Sequence, residues 1–270
     1  MADPGLFGPD SVSWRVHRET TVLFGGARAL LMHAAHPLVI AGARDSGFYE
    51  HNPWKRLERT LHLTYAITFG TTEDARRAAG RINEVHRTVK GVDRVTGKRY
   101  DAMNPDLLLW VHACLVDSAL LFERLTVGRL GEGDRERFHG EQMVGAELLG
   151  LPRERIPPTV AGLRAYIQEV VDGDALVVTP AAHRVSRLFR EPPPEAQWRP
   201  VLRAVSWWAF GTLPDSLRER YGLRWGFGDR VRLRASLAAL KSFRPALPRR
   251  YRWILPAQEA GQRVRGLAAA

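Results

Sequence analysis

The stretch Trp54-Lys-Arg-Leu-Glu-Arg-Thr60, followed after Phe69-Gly-Thr71 by a segment ending Val85-His-Arg-Thr-Val-Lys-Gly91, decides how the chain reads. Arg56, Arg59 and Thr60 stand at i, i+3 and i+4, the spacing that gathers side chains on one face of an α-helix. Two guanidinium ions and a hydroxyl therefore share one space. Thr71 or Thr72 is placed to N-cap a second helix, with Glu73 and Asp74 in its positive first turn. Lys90 and Gly91 read as its basic last turn and its terminating glycine. Ile82, His86 and Val89, at i, i+4 and i+7, put an imidazole on an otherwise apolar stripe. Spacing leaves two readings of His86 open: a core residue satisfied by hydrogen bonds, or a metal ligand. The arginines stay equally open: a solvated face, partners of buried carboxylates, or the cradle of an anionic cofactor.

Outward from this pair the chain reads as helix after helix. Residues 1–10 look like a loose arm. From about Ser11 to Ala43 the pattern is helical, broken near Gly25-Gly26, with His33 and His36 at i, i+3 and Pro37 marking a kink or turn. A loop containing Asp45, Gly47, Asn52 and Pro53 leads into the helix of Arg56. Thr96-Gly97-Lys98 is a turn signal. Asn104 as N-cap, Pro105 at N1 and Asp106 open the most apolar helix, which runs to about Gly128. Leu108, His112, Leu115 and Ala119 mark one of its faces, so His112 is a second candidate for a buried histidine. Further helices are expected over residues 133–149, ended by Gly150; from Pro157-Pro-Thr159 to about Val171; from Thr179-Pro180 to the run Glu191-Pro-Pro-Pro-Glu195; and over 199–212, 213–222 and 228–242. Arg249–Trp253 is basic and aromatic, and the alanine-rich end reads as frayed. Strand-like alternation never exceeds about four residues, and neither a fixed repeat nor a heptad pattern occurs. The expectation is an all-α protein of about ten helices in a single domain, with the proline run as its one candidate boundary.

Of 270 residues, 45% are hydrophobic and 26% charged, enough apolar material for a sizeable core. A lone cysteine, Cys114, excludes a disulfide framework and a cysteine-type zinc site. The N-terminal residues hold charges and Pro4 but no apolar signal core. The apolar runs fall short of the about 20 residues of a membrane span, so a cytoplasmic protein is expected. A net charge of +11 suggests polyanions or an anionic membrane surface. The arginines are dispersed among acids, and no zinc finger or RNP signature occurs. Nucleic acid is therefore not an expected partner, and weak peripheral membrane association is.

The motifs of several chemistries are missing. Neither Gly-x-x-x-x-Gly-Lys nor His-Glu-x-x-His occurs, and there is no Gly-x-Ser-x-Gly. A di-iron carboxylate site needs two Glu-x-x-His pairs and two further glutamates. One pair occurs, Glu136 and His139, on a polar helix, and it is not assigned. What remains is an apolar core rich in histidine (His33, His36, His86, His112) with arginines close by. A haem would use such a set, a neutral imidazole for iron and arginines for the propionates.

The sequence resembles the MpaB-type oxygenase family, which includes the latex-clearing rubber oxygenases. The resemblance rests on Ala27-Arg-Ala-Leu-Leu-Met-His-Ala-Ala-His-Pro-Leu-Val39, Pro53-Trp-Lys-Arg-Leu-Glu-Arg-Thr60, Phe69-Gly-Thr71, Val85-His-Arg-Thr-Val-Lys-Gly91 and Tyr100-Asp-Ala-Met-Asn-Pro-Asp-Leu-Leu-Leu-Trp-Val-His-Ala113. These run in family order over about residues 20–125, and the part from 130 to 260 adds helical character. The resemblance implies a mostly helical fold, with globin-like crossing of helices around a b-type haem. It implies His86, with Val89 and Lys90, as the histidine motif that binds iron. It places Arg56, Arg59 and Thr60 near the haem. Two departures stand out. Arg59 occupies the place of a rubber-oxygenase lysine, and arginine does not deprotonate to coordinate iron. No glutamate matches that family's distal base, and Asp45 is the nearest acid.

The function expected from this reading is a haem b-dependent oxygenase acting with O2 on a small, apolar or unsaturated substrate. His86 is the metal ligand. Arg56, Arg59, Thr60 and Lys90 are cofactor contacts, and His36 and His112 are groups near the cofactor. Arg59, Thr60 and Asp45 are the catalytic candidates. For His33, His36 and His112, packing with a hydrogen bond is the alternative. The alternatives for the protein are haem binding or sensing without turnover, and a family fold that has lost its cofactor.

Overall fold

A computed structural model describes residues 3–46, 53–191 and 199–268. The elements in order are α1 (Val12–His17), α2 (Thr20–Leu23), α3 (Gly25–Ala35), α4 (Pro37–Asp45), α5 (Pro53–Phe69), α6 (Thr72–Thr88), β1 (Lys90–Val92), β2 (Arg99–Asp101), α7 (Pro105–Thr126), α8 (Glu132–Leu148), α9 (Val160–Asp172), α10 (Pro180–Arg190), α11 (Arg199–Gly211), α12 (Asp215–Arg220), α13 (Phe227–Phe243), α14 (Arg249–Arg252) and α15 (Leu255–Ala268). The fold is all-α, with one two-stranded antiparallel ribbon, Gly91 opposite Tyr100, among the described residues.

Caps read from the sequence start the principal helices. Thr71 and Asp74 form a reciprocal capping box on α6. Asn104 caps α7 with Pro105 in its first turn, and Thr179 does the same for α10 with Pro180. The break expected near Gly25-Gly26 is present, between α2 and α3. Gly25 opens α3, because a Cβ there would lie 2.8 Å from the Ser118 carbonyl oxygen of α7. The sharp turn comes at His36, where Pro37 begins α4 and the chain bends by 99°. More helices form than the about ten expected, because this first segment divides into four and the alanine-rich end is helical in α15.

α7 is the centre of the protein. It packs against α3 and also touches α2, α9 and α13. Trp110 and Phe122 are fully buried on it, and the indole N–H of Trp110 donates to the Met32 carbonyl at 3.3 Å. This helix is long and apolar enough to cross a membrane, as is the bent pair formed by Thr20–Ala35 and Pro37–Asp45. Burial in the core accounts for the composition of α7. The main core runs from Val12 to Tyr221 and includes Phe189 and Val205, from either side of the proline run. That run, residues 192–198, lies outside the described residues.

α5 and α6 form an antiparallel hairpin that is closed at its turn end. Ile67, Ala78 and Ala79 are buried there, with Leu63, Ala66 and Ile82 against them. The other end of the hairpin is open: Glu58, Arg59, Thr60 and His62 are exposed. Lys90 and Gly91 do not terminate α6 but form β1. A Cβ at Gly91 would lie 2.5 Å from the Tyr100 hydroxyl oxygen, so glycine is needed for the ribbon to close.

Candidate functional site

α6 is fixed on both sides of His86. One turn earlier, Asn83 donates from Nδ2 to the Leu148 carbonyl at the end of α8, at 2.9 Å. One turn later, Val89 packs against Ala41, Tyr100 and Leu107. Between these anchors the His86 ring is half-buried, and its Nδ1 is buried without a partner. Burial lowers its pKa, which keeps the imidazole neutral at pH 7 with a lone pair free. Counting back equally along the hairpin from the turn between Phe69 and Thr72 brings the backbone of Arg56 level with Val85 and that of Arg59 level with Ile82. The first half of α5 thus runs beside the His86 half of α6. The Arg59 and Thr60 side chains are exposed and bond no other described residue; the Thr60 carbonyl accepts from Thr64 Oγ1 at 2.9 Å. The Arg56 side chain lies outside the described residues.

A second group of histidines surrounds one turn of α7. His33 Nε2 lies 3.1 Å from the Val111 carbonyl oxygen. The His36 ring, at the bend between α3 and α4, lies 6.5 Å from the Trp110 ring, with its Nδ1 buried and unpartnered. The His112 ring lies 6.4 Å from that of His139, and its Nε2 is likewise buried and unpartnered. His33 therefore makes the hydrogen bond of a packed core residue, while His36 and His112 each keep an open nitrogen. Buried polar atoms without partners are uncommon in folded proteins. Burial lowers the pKa of each of His33, His36 and His112 to about 4.

These three histidines make a pH prediction. In the unfolded chain each takes a proton near pH 6.5, and in the folded chain only near pH 4. The unfolded state therefore binds more protons between those values, and stability falls as the pH is lowered through the window. The expected loss is up to about 1.4 kcal/mol per pH unit for each histidine. Urea unfolding at pH 7, 6 and 5 measures it, and midpoints that do not fall with pH would contradict neutral burial.

The acidic and lysine candidates are already engaged. Asp45 pairs with Arg44 at 2.6 Å and accepts the Tyr100 hydroxyl at 2.5 Å, and chiefly the Arg44 hydrogen bond holds its carboxyl below the usual range. A carboxylate stabilised in this way is a weak proton acceptor. Lys90, on the ribbon, pairs with Asp101 at 3.0 Å and is exposed. Glu136 and His139 do separate tasks. Glu136 accepts from the Val160 backbone N–H at 3.0 Å at the start of α9, while fully buried His139 meets the Pro157 carbonyl oxygen at 2.8 Å. The sequence offered His139 only as half of an unassigned Glu-x-x-His pair on a polar helix, although His139, Met143 and Ala146 stand at i, i+4 and i+7 and all three are buried. No group of three or more His, Cys, Asp or Glu suited to a metal ion occurs among the described residues. A single imidazole such as His86 suits a cofactor that brings its own further donors, as a porphyrin does.

Two relatives are 26% identical over 135 residues, the uncharacterized protein Mb2261 of Mycobacterium bovis and the uncharacterized protein Rv2237 of Mycobacterium tuberculosis. The match covers 50% of this chain and 52% of each relative, so the chain spans about half the length of the curated relatives it matches. No solved structure matches. The family model described as "ER-bound oxygenase mpaB/B'/Rubber oxygenase, catalytic domain" matches residues 14–242, well beyond the 20–125 core of the sequence resemblance. The open half of the hairpin, the half-buried His86 and the histidines around α7 all lie within that match, and the chain belongs to the mpaB/rubber oxygenase catalytic-domain family.

Proposed function

We propose that this protein is a haem-dependent oxygenase that uses dioxygen on a small apolar or unsaturated substrate, with His86 as the iron ligand. The observation that carries this reading is the state of His86: neutral, half-buried, anchored one turn to either side, and with its buried Nδ1 bonded to no described residue. Bound haem would supply an iron centre able to activate dioxygen. The chain's own part is to place one imidazole and to receive the propionates. Arg59 bonds no other described residue, and its guanidinium can take a carboxylate in a two-point hydrogen bond. Arg56 would act beside it, and Thr60 would donate a hydroxyl. Arginine does not serve as an iron ligand, so the part of Arg59 would be that of a fixed cation and not of a ligand.

Haem binding without turnover is a second reading. It is favoured by the engagement of Asp45 with Arg44 and Tyr100, which leaves that candidate poorly suited to move a proton. Oxygen uptake by the haemin-loaded, reduced protein separates the two. Consumption that rises on addition of an alkene or terpenoid supports the oxygenase. Uptake no greater than that of free haemin, across such substrates, overturns it in favour of the second reading.

A further inference from the structure

The connection between α13 and α15, residues 243–255, holds apolar side chains in solvent on a fixed base. Phe243, Leu247, Tyr251 and Leu255 are 72%, 42%, 58% and 64% exposed. Single exposed apolar residues are ordinary on soluble proteins. Four within one short connection are a local concentration, and the connection is pinned at both ends. Next to Phe243, the buried Arg244 donates from Nη1 to Glu19 Oε2 at 2.7 Å. Next to Leu255, buried Ile254 packs with Trp14 and Phe69, and its N–H donates to the Arg18 carbonyl at 2.9 Å. Trp253 sits between two guanidinium groups, Arg18 at 4.4 Å and Arg249 at 5.3 Å from its ring centroid.

The connection itself is cationic. From Lys241 to Gln258 the chain carries Lys241, Arg244, Arg249, Arg250 and Arg252 and no acid. Arg244 is neutralised by Glu19, whereas Arg249 and Arg250 are exposed. Burial lowers the pKa of Arg18, Glu19 opposes that shift, and Arg15, Arg129 and Arg249 add to it. Aromatic and leucine side chains beside arginines suit the boundary between lipid headgroups and acyl chains, where the rings enter and the guanidinium groups meet phosphates.

We propose that residues 243–255 dock this protein onto an anionic lipid bilayer, with Phe243, Leu247, Tyr251 and Leu255 entering the headgroup layer and Arg249 and Arg250 contacting lipid phosphates. The inference stands apart from the haem reading and survives its failure. The test is co-sedimentation of the full chain with phosphatidylcholine vesicles, with and without phosphatidylserine. Binding is expected only with phosphatidylserine and is expected to weaken as salt is raised. Each arginine near the surface is worth about fivefold in affinity, so Arg249→Glu/Arg250→Glu should weaken binding more than about 25-fold. Leu247→Asp/Tyr251→Asp should weaken it at every salt concentration. All four side chains are exposed, and circular dichroism confirms that the variants keep the fold. Equal binding to both vesicle types, or full binding by either variant, overturns the proposal. So does retention on duplex DNA but not on vesicles, and so does vesicle-free self-association that Leu247→Asp/Tyr251→Asp abolishes.

Discussion

His86→Ala is expected to abolish tight haem binding while leaving the fold at least as stable as the parent. Loss of a partner that merely orients a metal ligand costs 10–100-fold in affinity, so loss of the ligand itself should cost more than about 100-fold in a haemin titration. The stability arm gives this prediction its force. A histidine satisfied in a core takes a hydrogen bond with it when removed. His86 makes none with a described residue, its Nδ1 is buried without such a partner, and alanine is the better helix former at that position of α6. A drop in the urea midpoint with haemin binding unchanged would make His86 a structural residue. An unchanged or raised midpoint with binding lost would make it a ligand.

Arg244→Met is expected to be the most destabilising single change, by about 3–5 kcal/mol, because it strands a buried carboxylate. Glu19 and Arg244 side chains are 5% and 2% exposed and meet at 2.7 Å. They join α2 to the turn after α13 across most of the sequence. Replacing both, as Glu19→Leu/Arg244→Met, removes the stranded charge and should recover much of the loss, since a buried ion pair contributes little over a well-packed apolar pair. Urea unfolding of the two variants measures the difference. Equal midpoints for the parent and Arg244→Met would mean that Glu19 reaches water in the folded protein.

The fold was legible where local chemistry decides it. Thr71 with Asp74, Asn104 with Pro105, and Thr179 with Pro180 start helices through bonds made within one turn, and a sequence displays such bonds directly. The ribbon was not legible, because three-residue strands are too short to show a period and Lys90-Gly91 resembles a helix end. What identifies Gly91 as a strand residue is the Tyr100 ring across from it, nine residues away. Gly25 was read as a break and does stand at one, between α2 and α3, but the need for glycine there comes from close approach to Ser118 of α7, which the sequence did not show.

The candidate site divides along the same line. The stripe of Ile82, His86 and Val89 and the level pairing of α5 with α6 follow from helical spacing and one short turn. Whether an imidazole nitrogen has a partner depends on residues far off in sequence. His33 finds the Val111 carbonyl, and His139 finds that of Pro157, but His36 and His112 each leave one nitrogen open. No spacing rule separates these cases. Asp45 was chosen from the sequence as the nearest acid, and its adjacent partner Arg44 was visible there. Its second partner, Tyr100, comes through the ribbon that the sequence did not reveal.

The measurement that bears most directly on the central claim is the visible absorption spectrum of the purified protein titrated with haemin. A saturable Soret band at one haem per chain, moving on reduction and again on carbon monoxide, is the expected result, and it would establish a protein-held iron with an open coordination position. A spectrum that remains that of free haemin throughout the titration would contradict it, leaving His86 as an unpartnered histidine on a family fold without the cofactor.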